Sequence, residues 1–340
     1  MRVLIGAAFA LALATGSGAQ EFSPAAAVAA SFNSTTVWVD GSWRSVGLPT
    51  YGIGFHNITA ASVDAGAIQS FSVRPTGYGI NAGIATPIGA WPNVRIALQG
   101  GYIDATADQS SSTASDRNIG QLLNGQLLAQ CGACTLTSQL ATRHEAWWLA
   151  ATATSDVRFG VVTLSPLAEI FGGIARTRQD LSQSRDSLGT ITTYDASTRI
   201  RWADVGARVG VTGTIPLAAT VEAGLGGKVG FAHRQVSLTG TDTGLFVPVG
   251  IPVSSSIELG DTTVAFVANL HGQVIVSPRQ GVRLRAFAGL DYDNRVPGIV
   301  APTFTPTDVA TTFVGSAATI GYSGQTSYYA GGGLTIALGL

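Results

Sequence analysis

V-E-A-G-L-G-G-K-V-G-F-A-H-R-Q, residues 221–235, decides the fold. Its odd positions hold Val221, Ala223, Leu225, Gly227, Val229 and Phe231. Its even positions hold Glu222, Gly224, Gly226, Lys228, Gly230, Ala232 and Arg234. One face is apolar and the other is charged or tiny. A period of two is the signature of a strand, because successive side chains of extended backbone point to opposite sides.

The same alternation recurs along the chain. Val282, Leu284, Ala286, Ala288, Leu290 and Tyr292 oppose Arg283, Arg285, Phe287, Gly289, Asp291 and Asp293. Residues 262–276 and 326–340 repeat it, and weaker copies lie at about 36–47, 72–86, 94–106, 144–156, 161–177 and 199–213. The sum is ten strands, within a range of eight to twelve. Short connections at 87–93, 155–160, 213–218 and 277–281 are built from Gly, Pro, Asn, Asp and Ser, which supply turn geometry. They alternate with long stretches at about 48–71, 107–143, 178–198, 238–256 and 294–325, rich in Ser, Thr and Gly.

Composition narrows the setting. Only 11% of the 340 residues are charged, against roughly 25% in soluble domains. Mean hydropathy is +0.30. Yet no apolar run after residue 20 approaches the roughly 18–20 residues that cross a bilayer as a helix. Glycine, at 43 residues, further opposes a helical fold. The net charge of −1 points to no nucleic-acid partner. At the start of the chain, Arg2, the apolar run Val3 to Ala14 and the small residues Ser17-Gly18-Ala19 read as an export signal spanning 1–19. Residues 20–33 then read as a linker or short helix, and 34–340 as one domain.

A soluble sandwich also alternates, but it needs charge on its outer face. Here the face opposite the apolar one is largely Gly, Ala, Ser and Thr. In lipid every backbone donor and acceptor must be satisfied internally, so a sheet must close on itself. Ten-residue alternating segments with short turns on one side and long loops on the other then predict a transmembrane up-and-down antiparallel barrel. Aromatic residues near segment ends (Trp43, Tyr102, Trp147, Trp148, Phe159, Trp202, Tyr292, Tyr328, Tyr329) suit its interfaces.

In these features the chain resembles the bacterial outer-membrane β-barrel class, porin-like and small barrels included. The resemblance covers residues 34–340 and rests on pattern. It implies an outer-membrane location, both termini in the periplasm, and insertion by the barrel-assembly machinery through the last strand. That strand, L-T-I-A-L-G-L, ends in Leu340 where the class commonly ends in an aromatic. Further contacts expected are the bilayer itself and a homo-oligomer or surface partner through the loops.

The inward charges expected from the alternation are Arg95, Glu169, Asp204, Arg208, Glu222, Lys228, Arg234, Arg283 and Arg285. They form either a salt-bridged interior or the charged lining of a narrow pore. Six cations against three anions lean weakly towards anion passage. Inward Gly and Ala leave room for water and favour the pore. The leading reading is therefore a porin-like channel for small solutes, without enzymatic activity. The runner-up is a non-conducting structural or surface-recognition barrel. A third reading, an outer-membrane hydrolase, would use His233 with Asp291 and Asp293 at the rim. Cys131 and Cys134, in C-G-A-C, read as a local disulfide in an exported protein. No second ligand pair accompanies them, so neither metal nor cofactor is expected.

Overall fold

The computed structural model describes residues 34–338 except 59–62, 68, 90, 116–117, 132, 188–189, 247–250, 303 and 307–312. The expected export signal and the 20–33 linker lie outside the described residues, as does Leu340. Ten long strands form one sheet: β1 (Thr35–Ser45), β2 (Thr76–Ile88), β3 (Trp91–Ser115), β4 (Cys134–Ser155), β5 (Val162–Ser187), β6 (Thr190–Ala218), β7 (Val221–Phe246), β8 (Ile251–Arg279), β9 (Val282–Val300) and β10 (Thr319–Leu338). Each pairs antiparallel with its neighbour in the chain, and β1 pairs with β10 to close the ring. The ring closes the sheet on itself as lipid requires; above it, at the loop end, residues 107–115 and 251–266 pair on one side only. The chain is an outer-membrane-type β-barrel of ten strands.

Tight turns join the strands at one end, here the turn end. Gly160 and Gly281 adopt positive φ there (61° and 78°), a conformation open to Gly and costly for other residues. The opposite, loop end is far taller than the periodicity predicts. β6 and β8 each run 29 residues, whereas about 9–11 tilted residues cross a bilayer. Much of the expected loops 107–143, 178–198 and 238–256 is therefore ladder. Backbone pairing continues where the outward residues turn from apolar to Ser and Thr, and the apolar signal used to find strands disappears there.

The outward apolar band supplies the lipid contact. Tyr328, Trp43, Tyr78, Trp147, Phe231 and Tyr292 are more than a third exposed. Together with Tyr102 and Phe266 they trace a belt around much of the barrel. Tyr102 packs on Trp147 with ring centroids 4.2 Å apart, and Phe231 meets Phe266 at 5.6 Å. Three aromatics expected at the interfaces point inward instead: Trp148, Trp202 and Tyr329 are buried. Each lies next to an outward aromatic or a charge in sequence, and the alternation alone settles which way it faces.

Candidate functional site: a charged lumen and its cap

All nine charges expected to face inward lie on the lumen side. Seven are buried, and Glu222 and Arg283 are half-buried near the turn end. They meet partners that the alternation did not single out. At the turn end Arg283 pairs with Glu222 at 3.4 Å, and Arg95 donates to the Ser34 carbonyl at 2.7 Å. Farther in, Arg285 pairs with Asp40, which also accepts from the Asn81 amide at 2.9 Å. At mid-height Glu169 pairs with Arg208 (2.7 Å) and Lys228 (2.9 Å) and accepts from Thr152 (2.9 Å) and Gln99 (3.2 Å). The Arg208 guanidinium lies 3.7 Å from the Phe171 ring centroid. Asp291 pairs with Arg44 at 3.4 Å and accepts from Asn269 at 2.9 Å. Towards the loop end Arg234 grips both oxygens of Asp204 (2.7 and 2.6 Å), pairs with Asp293 at 2.7 Å and donates to the Arg295 carbonyl at 2.6 Å.

The lumen thus joins seven cations (Arg44, Arg95, Arg208, Lys228, Arg234, Arg283, Arg285) to six carboxylates (Asp40, Glu169, Asp204, Glu222, Asp291, Asp293). The cationic excess expected from sequence shrinks from three to one once Arg44 joins the cations and Asp40, Asp291 and Asp293 join the carboxylates. Asp40 was legible: in T-V-W-V-D it shares a face with Trp38, opposite Val37 and Val39. The rim constellation does not assemble. His233 is exposed on the outer face, whereas Asp291 and Asp293 are buried inside.

The lumen glycines are also corrected. They do not leave space for water; they make room for large neighbours. A Cβ at Gly83 would lie 2.3 Å from the Trp38 ring, and one at Gly101 2.5 Å from Trp148 Nε1. A Cβ at Gly206 would meet the Phe231 carbonyl at 2.3 Å and the Phe171 ring at 2.6 Å. Gly206→Ala is therefore expected to cost roughly 1–3 kcal/mol through overpacking, read as a lower temperature at which the folded band converts on a gel. Gly260→Ala, whose nearest new neighbour would sit at 3.9 Å, should leave that temperature unchanged.

Both ends are filled. Trp38, Ala85 and Ala97 pack together near the turn end. At the loop end, segments from the first two long connections fold into the mouth. Strands Gly54–Ile58, Val63–Ala67, Asn118–Gln121 and Leu127–Cys131 form a small separate sheet. Tyr51, Ile53, Phe55, Phe71, Val73, Leu122, Leu123 and Leu128 from these connections join Leu136, Leu140, Leu181, Tyr194, Ile200, Val236 and Leu238 of the wall in one buried cluster. Each such side chain contributes about 1.5–3 kcal/mol when withdrawn from water. The expected Cys131–Cys134 bridge borders this cap. Cys134 is buried at the start of β4, but the side chain of Cys131 lies outside the described residues.

Asp242 latches the cap. It accepts from the Leu123 backbone N–H at 2.7 Å, the Tyr194 hydroxyl at 2.9 Å and the Ser255 hydroxyl. Burial raises its carboxyl above the ordinary 3.8. A raised folded value means that closure is strongest below the ordinary value and weakens as pH climbs through the raised one. Asp242→Ala removes the acceptor from a buried N–H and hydroxyl, at about 1–3 kcal/mol for each group stranded. We expect it to make the 122–126 turn cleavable by added protease in the otherwise folded barrel. Protection equal to that of the unaltered chain would show that the latch is dispensable.

No protein family matches the sequence, and no curated protein resembles it in sequence. Solved structures of similar shape include the outer membrane protease OmpT from Escherichia coli, with 11% identity, TM-score 0.45, and 90% of this chain and 97% of that chain covered. The translocator domain of the autotransporter NalP from Neisseria meningitidis has 11% identity and TM-score 0.35, with 92% of each chain covered. A Pseudomonas aeruginosa FadL homologue has 6% identity and TM-score 0.28, again with 92% of each covered. The absence of enzymatic activity expected from sequence does not stand, because a protease is among these similar barrels.

Proposed function

We infer that the chain is an outer-membrane barrel closed to solutes, acting through its tall loop end rather than through its lumen. The observation that carries this reading is the apolar cap packed inside the mouth. A water-filled passage needs a polar wall with unoccupied space. Here Leu, Ile, Phe and Tyr fill the mouth, and the charges below it are matched by partners.

In this reading the turn end and both termini face the periplasm, as short turns do in such barrels. The strands continue beyond the outer leaflet as a wall whose outward residues are mostly Ser and Thr, such as Ser182, Thr193, Thr241 and Ser256. That wall and the cap are the surfaces open to a partner. β10, carrying L-T-I-A-L-G-L, would engage the insertion machinery. The alternative, porin-like diffusion, requires the cap to leave the mouth. Liposomes containing the refolded protein should not swell when diluted into an isotonic pentose solution. Swelling at the rate of a general porin would overturn the proposal.

A further inference from the structure

The outer wall carries a second charged feature that the lumen does not explain. Just above the aromatic belt, β4, β5 and β6 present Arg143, Arg176, Arg178, Arg199 and Arg201 outward, all exposed. Their register is unusual. Arg178 lies directly opposite Arg143 on one side and Arg199 on the other. In the adjacent row Arg176 lies opposite Arg201. Strands are about 4.8 Å apart, and like charges directly opposed across a ladder are destabilising.

Nearby carboxylates answer only part of this charge. Arg143 pairs with Asp104 and Glu145, both at 3.0 Å, Arg176 pairs with Glu145, and Arg178 pairs with Asp180 at 2.8 Å. Arg199 and Arg201 make no ion pair among the described residues. Beside Arg201 a groove of about 460 Å³ opens between β6 and β7, lined by Ala203, Val205, His233, Gln235 and Ser237. Its lower wall, Ala203 and Val205, runs straight into the lipid-facing residues Ala207, Val209 and Phe231. The aromatic belt is interrupted here: the residues continuing the row of Trp147 are Ile174 and Ala203.

We propose that this patch binds the phosphate of an outer-leaflet lipid headgroup, with Arg178, Arg199 and Arg201 as its ligands and an acyl chain along Val205 and Val209. This rests on the orientation inferred above, which puts the loop end in the outer leaflet. The chemistry fits. A guanidinium fork binds phosphate oxygens bidentately, and an anion between opposed arginines turns their repulsion into attraction. An apolar floor below a cationic rim matches an amphiphile and has no use for a free anion.

The test uses the full-length barrel folded in non-ionic detergent, titrated with a bisphosphorylated glucosamine-disaccharide lipid and followed by native mass spectrometry. The triple variant R178Q/R199Q/R201Q should bind about tenfold more weakly, and R199Q or R201Q alone should show an intermediate loss. R158Q, at the turn end, should bind as the unaltered chain does. The dephosphorylated lipid should not bind. Unchanged binding by the triple variant would overturn the proposal. So would equal affinity for phosphatidylglycerol, or displacement of the lipid by an equal concentration of inorganic phosphate. Protease treatment of intact cells reports the orientation separately, because cleavage within the loop-end hairpins does not depend on lipid binding.

Discussion

Glu169→Ala should destabilise the barrel by about 3–5 kcal/mol, the usual result of removing one partner from a buried ion pair. Glu169 is the shared anion of Arg208 and Lys228 and accepts from Thr152 and Gln99. Arg208, Lys228 and Glu169 are each at most 3% exposed. Truncation would leave two cations of adjacent strands without their shared anion in a lumen that side chains fill. The midpoint of urea-induced conversion from folded to unfolded migration measures the loss. Replacing all three charges with Leu or Met of similar volume should recover much of it, because matched apolar groups need no desolvation of charge. A Glu169→Ala barrel as stable as the unaltered one would mean that water hydrates Arg208 and Lys228, and the lumen would not be closed at mid-height.

Arg234→Ala is expected to be comparably severe. Arg234 bridges β6 and β9 by holding Asp204 and Asp293 and also donates to the Arg295 carbonyl. Without it two buried carboxylates stand together with no cation between them, at about 3–5 kcal/mol. The midpoint of urea-induced conversion measures the loss, and Arg234→Lys, which keeps the charge but not the two-pronged grip, should recover only part of it. A midpoint equal to that of the unaltered barrel would show that Asp204 and Asp293 are solvated without Arg234.

The barrel was legible because lipid enforces a period of two. Val221–Arg234 and Val282–Asp293 each show one lipid face and one lumen face, and the count of such segments matches the ring. The inward positions of Glu169, Arg208, Lys228 and Arg234 follow from the same parity. What parity does not contain is distance. Nothing in the local sequence shows that Asp40 meets Arg285, 245 residues away, or that Gly206 receives the Phe171 ring from the neighbouring strand. Those contacts depend on barrel shear and strand register. The tall loop-end ladder was hidden for another reason. Outside lipid, Ser and Thr occupy the outer face and the hydropathy contrast fades while the hydrogen bonds continue. The cap was hidden because Tyr51, Ile53, Leu122 and Leu128 sit in segments that read as polar loops, each with too few apolar residues to form a periodic run.

Single-channel recording from planar bilayers tests the closed lumen most directly. The folded chain is predicted to give no conductance steps, because the apolar cap fills the mouth and the ion pairs and the ring of Trp38 fill the barrel below. Steps from the unaltered chain whose ion selectivity changes on charge reversal at Arg285 would contradict that account and place a conducting path through the lumen.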